Sequence, residues 1–337
     1  MHLSGAFAFA WPVAGVFSCG LCIVCSSCGS RSEIFGLASA AGDAGVDAAP
    51  EAAPPLPPSC TSDSDCVTGA YCLVGSCDTD GGCVTGPRNC DDGVSCTQDT
   101  CSETNKACVH SPEDALCPAT ELCSPIHDCG AFVYGVGFDN HLYETSVPSG
   151  QTFDVGLPAP LITEVALAGT GVLYATESYN LYRVDRATAA YTTVAPIIPL
   201  HQYNGLGAAA DGSLLATSDA ASLFRVDPTT GASAPIALLP TGDKAAGDVT
   251  TLGSQWLVPI ESSDESTFSL ESFDVATLRP TIVGPMNDVC AWGLATLGGV
   301  VYILDCNGVI STLDPETGAS RQVGQAMGRR FLGAAGR

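Results

Sequence analysis

The chain has 337 residues, 46% of them hydrophobic, which is enough for one sizeable core and a smaller module beside it. Its 36 Asp and Glu residues outnumber 12 Lys and Arg residues, so the formal net charge is -24 at pH 7. This negative field repels nucleic-acid backbones and anionic lipid headgroups. We therefore expect no nucleic-acid partner, and contact with a membrane only through a covalent lipid anchor.

The 18 cysteines form three groups. Four lie between Cys19 and Cys28, twelve lie between Cys60 and Cys129, and the last two are Cys290 and Cys306. The density of the middle group is typical of a disulfide framework made in an oxidising compartment. We expect an exported protein, located at the cell envelope or outer surface or outside the cell.

Residues 1–30 read as a leader. The run "AFAFAWPVAGVFSCGLCIV" is apolar, but Pro12 and several glycines interrupt it, so it is a poor membrane span. "VFSCG" resembles a bacterial lipobox, which implies lipidation of Cys19. An ordinary cleaved leader is the alternative. The C-x2-C-x2-C-x2-C spacing differs from that of a ferredoxin cluster, whose last spacing is longer and is followed by Pro.

Residues 31–59 are rich in Ala, Pro and Gly, as in "ASAAGDAGVDAAPEAAPPLPPS". Such a composition has almost nothing to bury and predicts an extended, solvated spacer.

Residues 60–129 predict a disulfide-rich module, because their apolar residues are too isolated for a core. Twelve cysteines allow six internal bridges worth about 2–4 kcal/mol each, with a connectivity that the sequence leaves open. "CTSDSDCVTGAYCLVGSC" and "CDDGVSCTQDTCSETNKACVH" resemble Cys-rich repeats of large bacterial surface proteins, which implies a secreted module and no particular activity. Asp91 and Asp92 predict a turn rather than a calcium loop. His110 lacks the paired cysteine frame of a zinc site.

A repeat dominates the rest of the chain. "NLYRVDRATAAYTTV" from Asn180 returns as "SLFRVDPTTGASAPI" from Ser222, and each copy divides into four short β-prone runs. Four strands recurring at about 40 residues predict a β-propeller blade. Equivalent hairpin positions hold Asp185, Asp227, Asp274 and Asp314, with Ser146 in a fifth copy. We expect these aspartates to stabilise turns by accepting backbone N–H bonds.

The first copy, "FVYGVGF", "HLYETSVPSG" and "QTFDVGL", supplies only three strands, and the terminal "RFLGAAGR" matches the missing inner strand. Closure of the ring by this strand predicts an all-β, five-bladed propeller over residues 130–337, with a six-bladed ring as the alternative. The repeats resemble NHL-like and related propellers, and this resemblance implies a fold rather than a function. Cys290 and Cys306 flank one hairpin symmetrically and predict a cross-strand disulfide.

Propeller topology divides the loops between two faces. The loops from second to third strand and those between blades share one face, which we call the loop face. The hairpin turns from first to second and from third to fourth strand share the other, the turn face. Five blades bring acidic residues to the loop face, which we expect to bind calcium or a basic partner; the alternative is a solvated acidic surface. The predicted metal residues are Asp139, Glu177, Asp219, Glu261 and Asp305.

Other loop-face candidates lie between blades, namely His201, Asp243 and Asp288. Glu164 and Asp248 occupy inner-strand positions where other blades have Gly, which places them towards the central channel. We expect each to be a satisfied structural group.

Three classes of function remain open. The chain has no G-x-S-x-G, no H-E-x-x-H and no phosphate-binding glycine loop. We therefore favour an exported, surface-anchored, monomeric binding or scaffold protein whose propeller face recognises a protein or glycan ligand. The alternatives are a propeller enzyme, either a metal-dependent lactonase or lyase or a carboxylate-based glycan hydrolase, and a purely structural envelope component.

Overall fold

The computed structural model describes residues 59–158, 160–177, 179–198, 203–218, 221–239, 243–262, 267–287 and 290–337. The predicted leader, the lipidation site at Cys19 and nearly all of the spacer lie outside these residues. In the described part of the chain, no helix has both the length and the apolar character needed to cross a membrane.

The disulfide-rich module consists of three β-hairpins and two short 3-10 helices. Its strands pair as β1–β2, β3–β4 and β5–β6. The strand bounds are β1 Leu73–Cys77, β2 Cys83–Pro87, β3 Thr97–Ser102, β4 Ala107–Pro112, β5 Leu122–Ser124 and β6 Asp128–Gly130, and the 3-10 helices are Asp63–Asp65 and Asp114–Leu116.

Six bridges use all twelve cysteines of this module, so covalent loop closure takes the place of an extended apolar core. Each bridge spans between 12 and 29 residues of sequence. The pairs are Cys60–Cys77, Cys66–Cys83, Cys72–Cys101, Cys90–Cys108, Cys96–Cys123 and Cys117–Cys129.

Five antiparallel sheets follow the module and form the five blades of a β-propeller, which confirms the predicted fold. Blade I contains β7 Phe132–Gly137, β8 Leu142–Ser146 and β9 Thr152–Gly156; blade II contains β10 Glu164–Leu167, β11 Leu173–Thr176, β12 Asn180–Val184 and β13 Tyr191–Pro196; blade III contains β14 Tyr203–Ala208, β15 Leu214–Ser218, β16 Ser222–Val226 and β17 Ser233–Leu238. Blade IV contains β18 Lys244–Ala245, β19 Thr250–Leu252, β20 Gln255–Glu261, β21 Phe268–Asp274 and β22 Pro280–Pro285; blade V contains β23 Gly293–Leu297, β24 Val300–Leu304, β25 Val309–Leu313 and β26 Ser320–Gln325; and β27 Phe331–Ala335 completes blade I.

The terminal strand β27 closes the ring. It pairs antiparallel with β7, with Phe331 opposite Gly137 and Ala335 opposite Tyr134, and gives blade I the strand order β27-β7-β8-β9. Closure removes the free edge that β7 would otherwise present. The five-bladed ring is therefore the observed arrangement and the six-bladed alternative is wrong.

The repeated aspartates stabilise hairpin turns, as their sequence positions predict. The Asp227 carboxylate accepts N–H bonds from Thr229 at 2.7 Å and Thr230 at 3.1 Å, and Gly231 completes the turn at φ 68°. These hydrogen bonds lower the pKa of Asp227. Corresponding bonds from residues two positions on reach Asp185, Asp274 and Asp314.

The module is held against the turn face of the propeller by a buried ion pair. Arg186, next to the Asp185 turn, donates to Asp114 Oδ1 at 2.8 Å and to Asp114 Oδ2 at 3.1 Å. Its Nε donates to the Tyr134 hydroxyl at 3.0 Å, and it also binds the Cys123 carbonyl. Arg186 and Asp114 are each 4% exposed. Charge pairing and these extra acceptors together compensate for the removal of both charges from water.

We predict that deleting Phe331–Arg337 lowers the midpoint of thermal unfolding by at least about 10 °C. The deletion removes the inner strand of blade I and the fully buried Phe331 side chain, and each kcal/mol lost shifts the midpoint of a domain this size by about 2–4 °C. Calorimetry of the full chain and of the deletion measures the shift. Deletion of Arg337 alone, which leaves β27 intact, is the matched control. An unchanged midpoint in the long deletion would contradict closure by this strand.

Candidate functional site

The predicted metal residue Asp139 lies in the loop-face loop of blade I and already has two partners. The Tyr143 hydroxyl donates to Asp139 Oδ2 at 2.7 Å, and Arg329 Nη1 lies 3.3 Å from the same oxygen. Burial acts to raise the pKa of Asp139, but the Tyr143 and His141 hydrogen bonds outweigh it and the pKa is lowered. Asp139 is thus an ionised carboxylate with protein donors in place.

The other described members of the predicted metal set also have local surroundings of their own. Glu177 accepts a hydrogen bond from the Asn180 side chain. Glu261 lies directly opposite Lys244 in the sheet of blade IV. Asp305 is 5% exposed, and its Oδ1 accepts backbone N–H bonds from Asn307 at 2.8 Å and Val309 at 2.6 Å, which shapes the loop after β24.

The structure does not bring these carboxylates together as one ligand set. Among the described residues, groups of three or more ligand-type atoms within 4.8 Å of one another include none of Asp139, Glu177, Glu261 and Asp305. Asp219 lies outside the described residues, as do His201 and Asp288. Calcium binding at the loop face therefore stays a prediction.

An unusual inner strand in blade IV places Asp248 on the propeller axis. Pro259 in β20 has no N–H to donate to the neighbouring strand, and the inner strand is interrupted opposite it. Ala245 pairs with Ile260 and Thr250 pairs with Leu257, so four inner-strand residues lie opposite two residues of β20. The extra residues bulge inwards, and this carries Asp248 among the other inner strands.

Asp248 connects the inner strands of three other blades. Its Oδ1 accepts the Leu206 N–H of blade III at 3.1 Å, and its Oδ2 accepts the Ala334 N–H of blade I at 2.6 Å and the Leu294 N–H of blade V at 3.4 Å. Asp248 is fully buried. Burial raises the pKa of Asp248 to about 7, although these N–H donors and the Glu164 hydrogen bond act to lower it.

Glu164 brings the remaining blade to this centre. Its carboxyl lies beside that of Asp248, and burial together with the Asp248 charge raises the pKa of Glu164 well above its usual value. Both effects favour the protonated form of Glu164. Among the described residues, Glu164 Oε2 has no hydrogen-bond partner. Burial of both groups and the N–H contacts of Asp248 favour a structural role for this pair. The expectation of a satisfied group is therefore confirmed for Asp248 and is wrong for one oxygen of Glu164.

Glycines permit the close approach of the inner strands. A Cβ on Gly333 would lie 2.8 Å from Glu164 Oε2, and a Cβ on Gly207 would lie 1.9 Å from the Val249 carbonyl oxygen. Both distances are below normal contact, so larger residues would force the strands apart.

A cavity of about 230 Å³ lies beyond this centre, towards the turn-face end of the inner strands. Its lining is mainly small and aliphatic, with Thr250 and Thr296 hydroxyls 2.9 Å apart. This cavity was not predicted from the sequence, whose polar candidate residues lie in loops on the opposite face. The small residues that recur in the inner-strand runs are the sequence feature from which a cavity could have been predicted.

Exposed apolar side chains concentrate on the loop face. Ten large apolar side chains are exposed in the described part of the propeller, and six of them lie in loop-face segments or at strand ends adjoining them. These six are Phe138, Leu157, Leu161, Tyr179, Leu238 and Met327. Ile198 is exposed as well, but its backbone is hydrogen bonded to Gly231 and Ser233 at the blade III hairpin turn. Tyr191, Ile282 and Val300 lie elsewhere.

The loop face also carries the disulfide between Cys290 and Cys306, whose Cα atoms are 5.6 Å apart. The bridge joins the entry to the inner strand of blade V to the loop between its second and third strands. It therefore restrains two loop-face segments outside the blade strands, where the Cys306 N–H also donates to the Cys290 carbonyl at 3.3 Å.

We predict that stability falls as the pH rises from 5 to 8. Burial raises the pKa of Asp248, Glu144 and Glu271 each to about 7. A carboxyl whose pKa is raised by folding contributes stability that is complete below its unfolded pKa, near 4, and is lost as the pH rises through 7. Chemical unfolding at pH 5, 6, 7 and 8 measures the slope.

Variants of the axial pair separate its two roles. Glu164→Gln removes one titrating group and should flatten the pH dependence. Asp248→Asn should lower the free energy of unfolding by about 1–3 kcal/mol at every pH, because one of its oxygens is replaced by a donor facing backbone N–H groups. A slope unchanged in Glu164→Gln would contradict the raised pKa of Glu164.

We also predict that calcium raises the unfolding midpoint of the full chain if loop-face carboxylates bind it, because a ligand of the folded form stabilises that form. Calorimetry with calcium, magnesium or chelator measures this effect. A variant with Glu177 and Asp305 changed to Gln and Asn should lose the shift. If calcium does not shift the midpoint, the alternative of a solvated acidic surface is favoured.

Comparisons with known proteins found relatives in structure only. No family model matches the chain, and no curated protein matches it. Similar solved structures include a nidogen/laminin complex, with TM-score 0.43 and 10% identity over 60% of this chain and 97% of that chain. A streptogramin B lyase has TM-score 0.36 and 14% identity over 58% of this chain and 70% of its own. BamB from Moraxella catarrhalis has TM-score 0.29 and 15% identity over 56% and 68%. At these values the similarities carry no information about function.

Proposed function

We propose that this chain is an exported binding protein whose loop face recognises a partner protein. The observation that supports this function is the concentration of exposed apolar side chains on one face, six of the ten in the described propeller. Isolated apolar residues are normal on a surface, but their accumulation on one side marks interaction surfaces.

The position of the disulfide-rich module also favours the loop face. The module occupies part of the turn face through the Arg186–Asp114 ion pair, and Thr120 packs against the blade V turn at Gly298. These buried contacts fix the module to the propeller. The loop face has no such cover from the described residues, so it is the side available to a partner.

Seven disulfides in the described residues indicate an oxidising environment. Export by the leader of residues 1–30, a lipid anchor at Cys19 and a spacer over residues 31–59 complete the proposal. This arrangement holds the propeller away from the surface that carries the anchor. The partner is a protein in the same compartment, and the chain acts as a monomer.

We predict that Leu161→Asp combined with Tyr179→Asp reduces partner binding at least about tenfold. Both side chains are exposed, at 64% and 46%, so the charges should leave folding intact while disfavouring burial against a partner. The measurement is affinity capture of extracellular proteins on the immobilised chain, followed by titration of each captured protein. Ile282→Asp, at a similarly exposed site on the outer strand of blade IV, is the control.

The captured complex should also show slower hydrogen exchange in loop-face segments than the free chain. Protection confined to the turn face or to the module would contradict the proposal. Equal loss of binding in Ile282→Asp and in the loop-face variant would contradict it as well.

A further inference from the structure

One part of the loop face combines aromatic rings with arginines. Phe138 is 41% exposed and stacks on Trp292, with ring centroids 5.4 Å apart and planes at 28°. The Arg330 guanidinium carbon lies 4.3 Å from the centroid of the Phe138 ring. The three side chains come from blade I, blade V and the segment that joins them, and they form one continuous stack.

A second arginine flanks this stack. Arg329 lies 4.5 Å from the centroid of the Tyr143 ring and donates to the Tyr143 hydroxyl at 2.7 Å. Its ion pair with Asp139 fixes the guanidinium while 38% of the side chain stays exposed. Arg329 thus keeps a fixed position beside Arg330.

Arg330 has donors left for a ligand. Its Nε donates to the Cys306 carbonyl at 2.8 Å, which orients the planar guanidinium. Within the described residues, its two terminal nitrogens have no acceptor, and the residue is exposed. A guanidinium held by one edge and open at the other is suited to bind a carboxylate through two parallel hydrogen bonds.

The fold holds this region rigidly before any ligand arrives. The Cys290–Cys306 bridge connects the segment preceding Trp292 to the carbonyl that orients Arg330. The Phe138 N–H donates to the Arg330 carbonyl at 3.0 Å, and the Trp292 carbonyl accepts the Asp248 N–H at 2.9 Å. Backbone hydrogen bonds therefore connect the stack to the segment that precedes the closing strand β27 and to Asp248 at the axis. Preorganisation of this kind lowers the entropy cost of binding.

We propose that Phe138, Trp292, Arg329 and Arg330 form an aromatic–arginine platform that binds an acidic segment of a partner protein. This inference rests on the proposed function and specifies the chemistry of the partner. The segment carries an Asp or Glu that pairs with the arginines and a neighbouring apolar side chain that packs on Phe138 and Trp292. Tryptophan and arginine at the centre of such a surface are residues typical of binding hot spots.

The charge of the whole chain limits the ligand to few carboxylates. At physiological ionic strength the Debye length is about 8 Å, so one carboxylate beside the platform interacts chiefly with the two arginines and with Asp139, whose carboxylate is paired with Arg329. Two positive charges against one negative charge leave a net attraction for a single carboxylate. A polyanion extends beyond that range and meets the field of a chain with net charge -24. The platform therefore favours a single acidic residue in an apolar context over an acidic polysaccharide or a nucleic acid.

The test selects random 12-residue peptides displayed on phage against the immobilised full chain, with counter-selection on the Arg329→Gln, Arg330→Gln variant. We expect the enriched peptides to contain Asp or Glu next to an aromatic or aliphatic residue. Synthetic versions should bind the double variant at least about tenfold more weakly than the unchanged chain, by fluorescence anisotropy. Replacing the peptide carboxylate by its amide should cause a similar loss.

Matched variants make the result specific. Arg279→Gln with Arg321→Gln removes the same charge from exposed positions elsewhere on the propeller and should leave affinity within about twofold. Phe138→Ala should weaken binding without altering net charge. Arg330→Lys keeps the charge but loses the planar fork, and should show an intermediate loss.

Three outcomes overturn the platform: no enrichment of acidic peptides, equal binding by the Arg329→Gln, Arg330→Gln variant, or equal loss in the Arg279→Gln, Arg321→Gln control. If captured partner proteins still depend on Leu161 and Tyr179 in these cases, the platform fails and the proposed function of the loop face stands. If they do not, both fail.

Discussion

The propeller depends on a single carboxylate at its axis. Asp248 of blade IV accepts backbone N–H bonds from the inner strands of blades I, III and V and lies beside the Glu164 carboxyl of blade II. A five-bladed ring brings five inner strands together, and each presents N–H groups on its unpaired edge. Buried N–H groups without acceptors are costly. One carboxylate satisfies three of them, and these donors offset part of the cost of its own burial.

This centre gives the two ends of the axis different characters. Towards the turn face, small inner-strand residues leave a cavity of about 230 Å³, and the disulfide-rich module packs on that side through Arg186 and Asp114. Towards the loop face, the Trp292 carbonyl accepts the Asp248 N–H and the indole lies beneath Phe138. The geometry of the loop-face surface is thus coupled to the axis. A partner bound there contacts a surface whose position is fixed by all five blades.

The sequence predicted features that recur at fixed spacing or follow from topology. The period of four strands, the turn aspartates such as Asp227 and closure by "RFLGAAGR" are local patterns repeated often enough to define the ring. The same register identified Glu164 and Asp248, because carboxyls stand there where other blades have Gly. The sequence could not predict which cysteines pair in the module, or that Arg186 binds Asp114 across 72 residues. The disulfides depend on the tertiary fold of the module and the ion pair depends on contact between the module and the propeller, and no local sequence pattern records either.

The loop-face carboxylates show why topology alone was not enough. Topology correctly assigned Asp139 to the loop face, but its nearest cation is Arg329, 190 residues later in the chain. Ring closure brings these residues together. The pattern within one blade predicts the carboxylates, but it does not predict the arginines, which lie between blade V and β27. The acidic composition suggested a cation or a basic partner for this face. The contacts at the junction of blades I and V favour an acidic ligand there, because Arg329 and Arg330 are oriented by the Cys306 carbonyl of blade V and by the Tyr143 hydroxyl and Asp139 carboxylate of blade I.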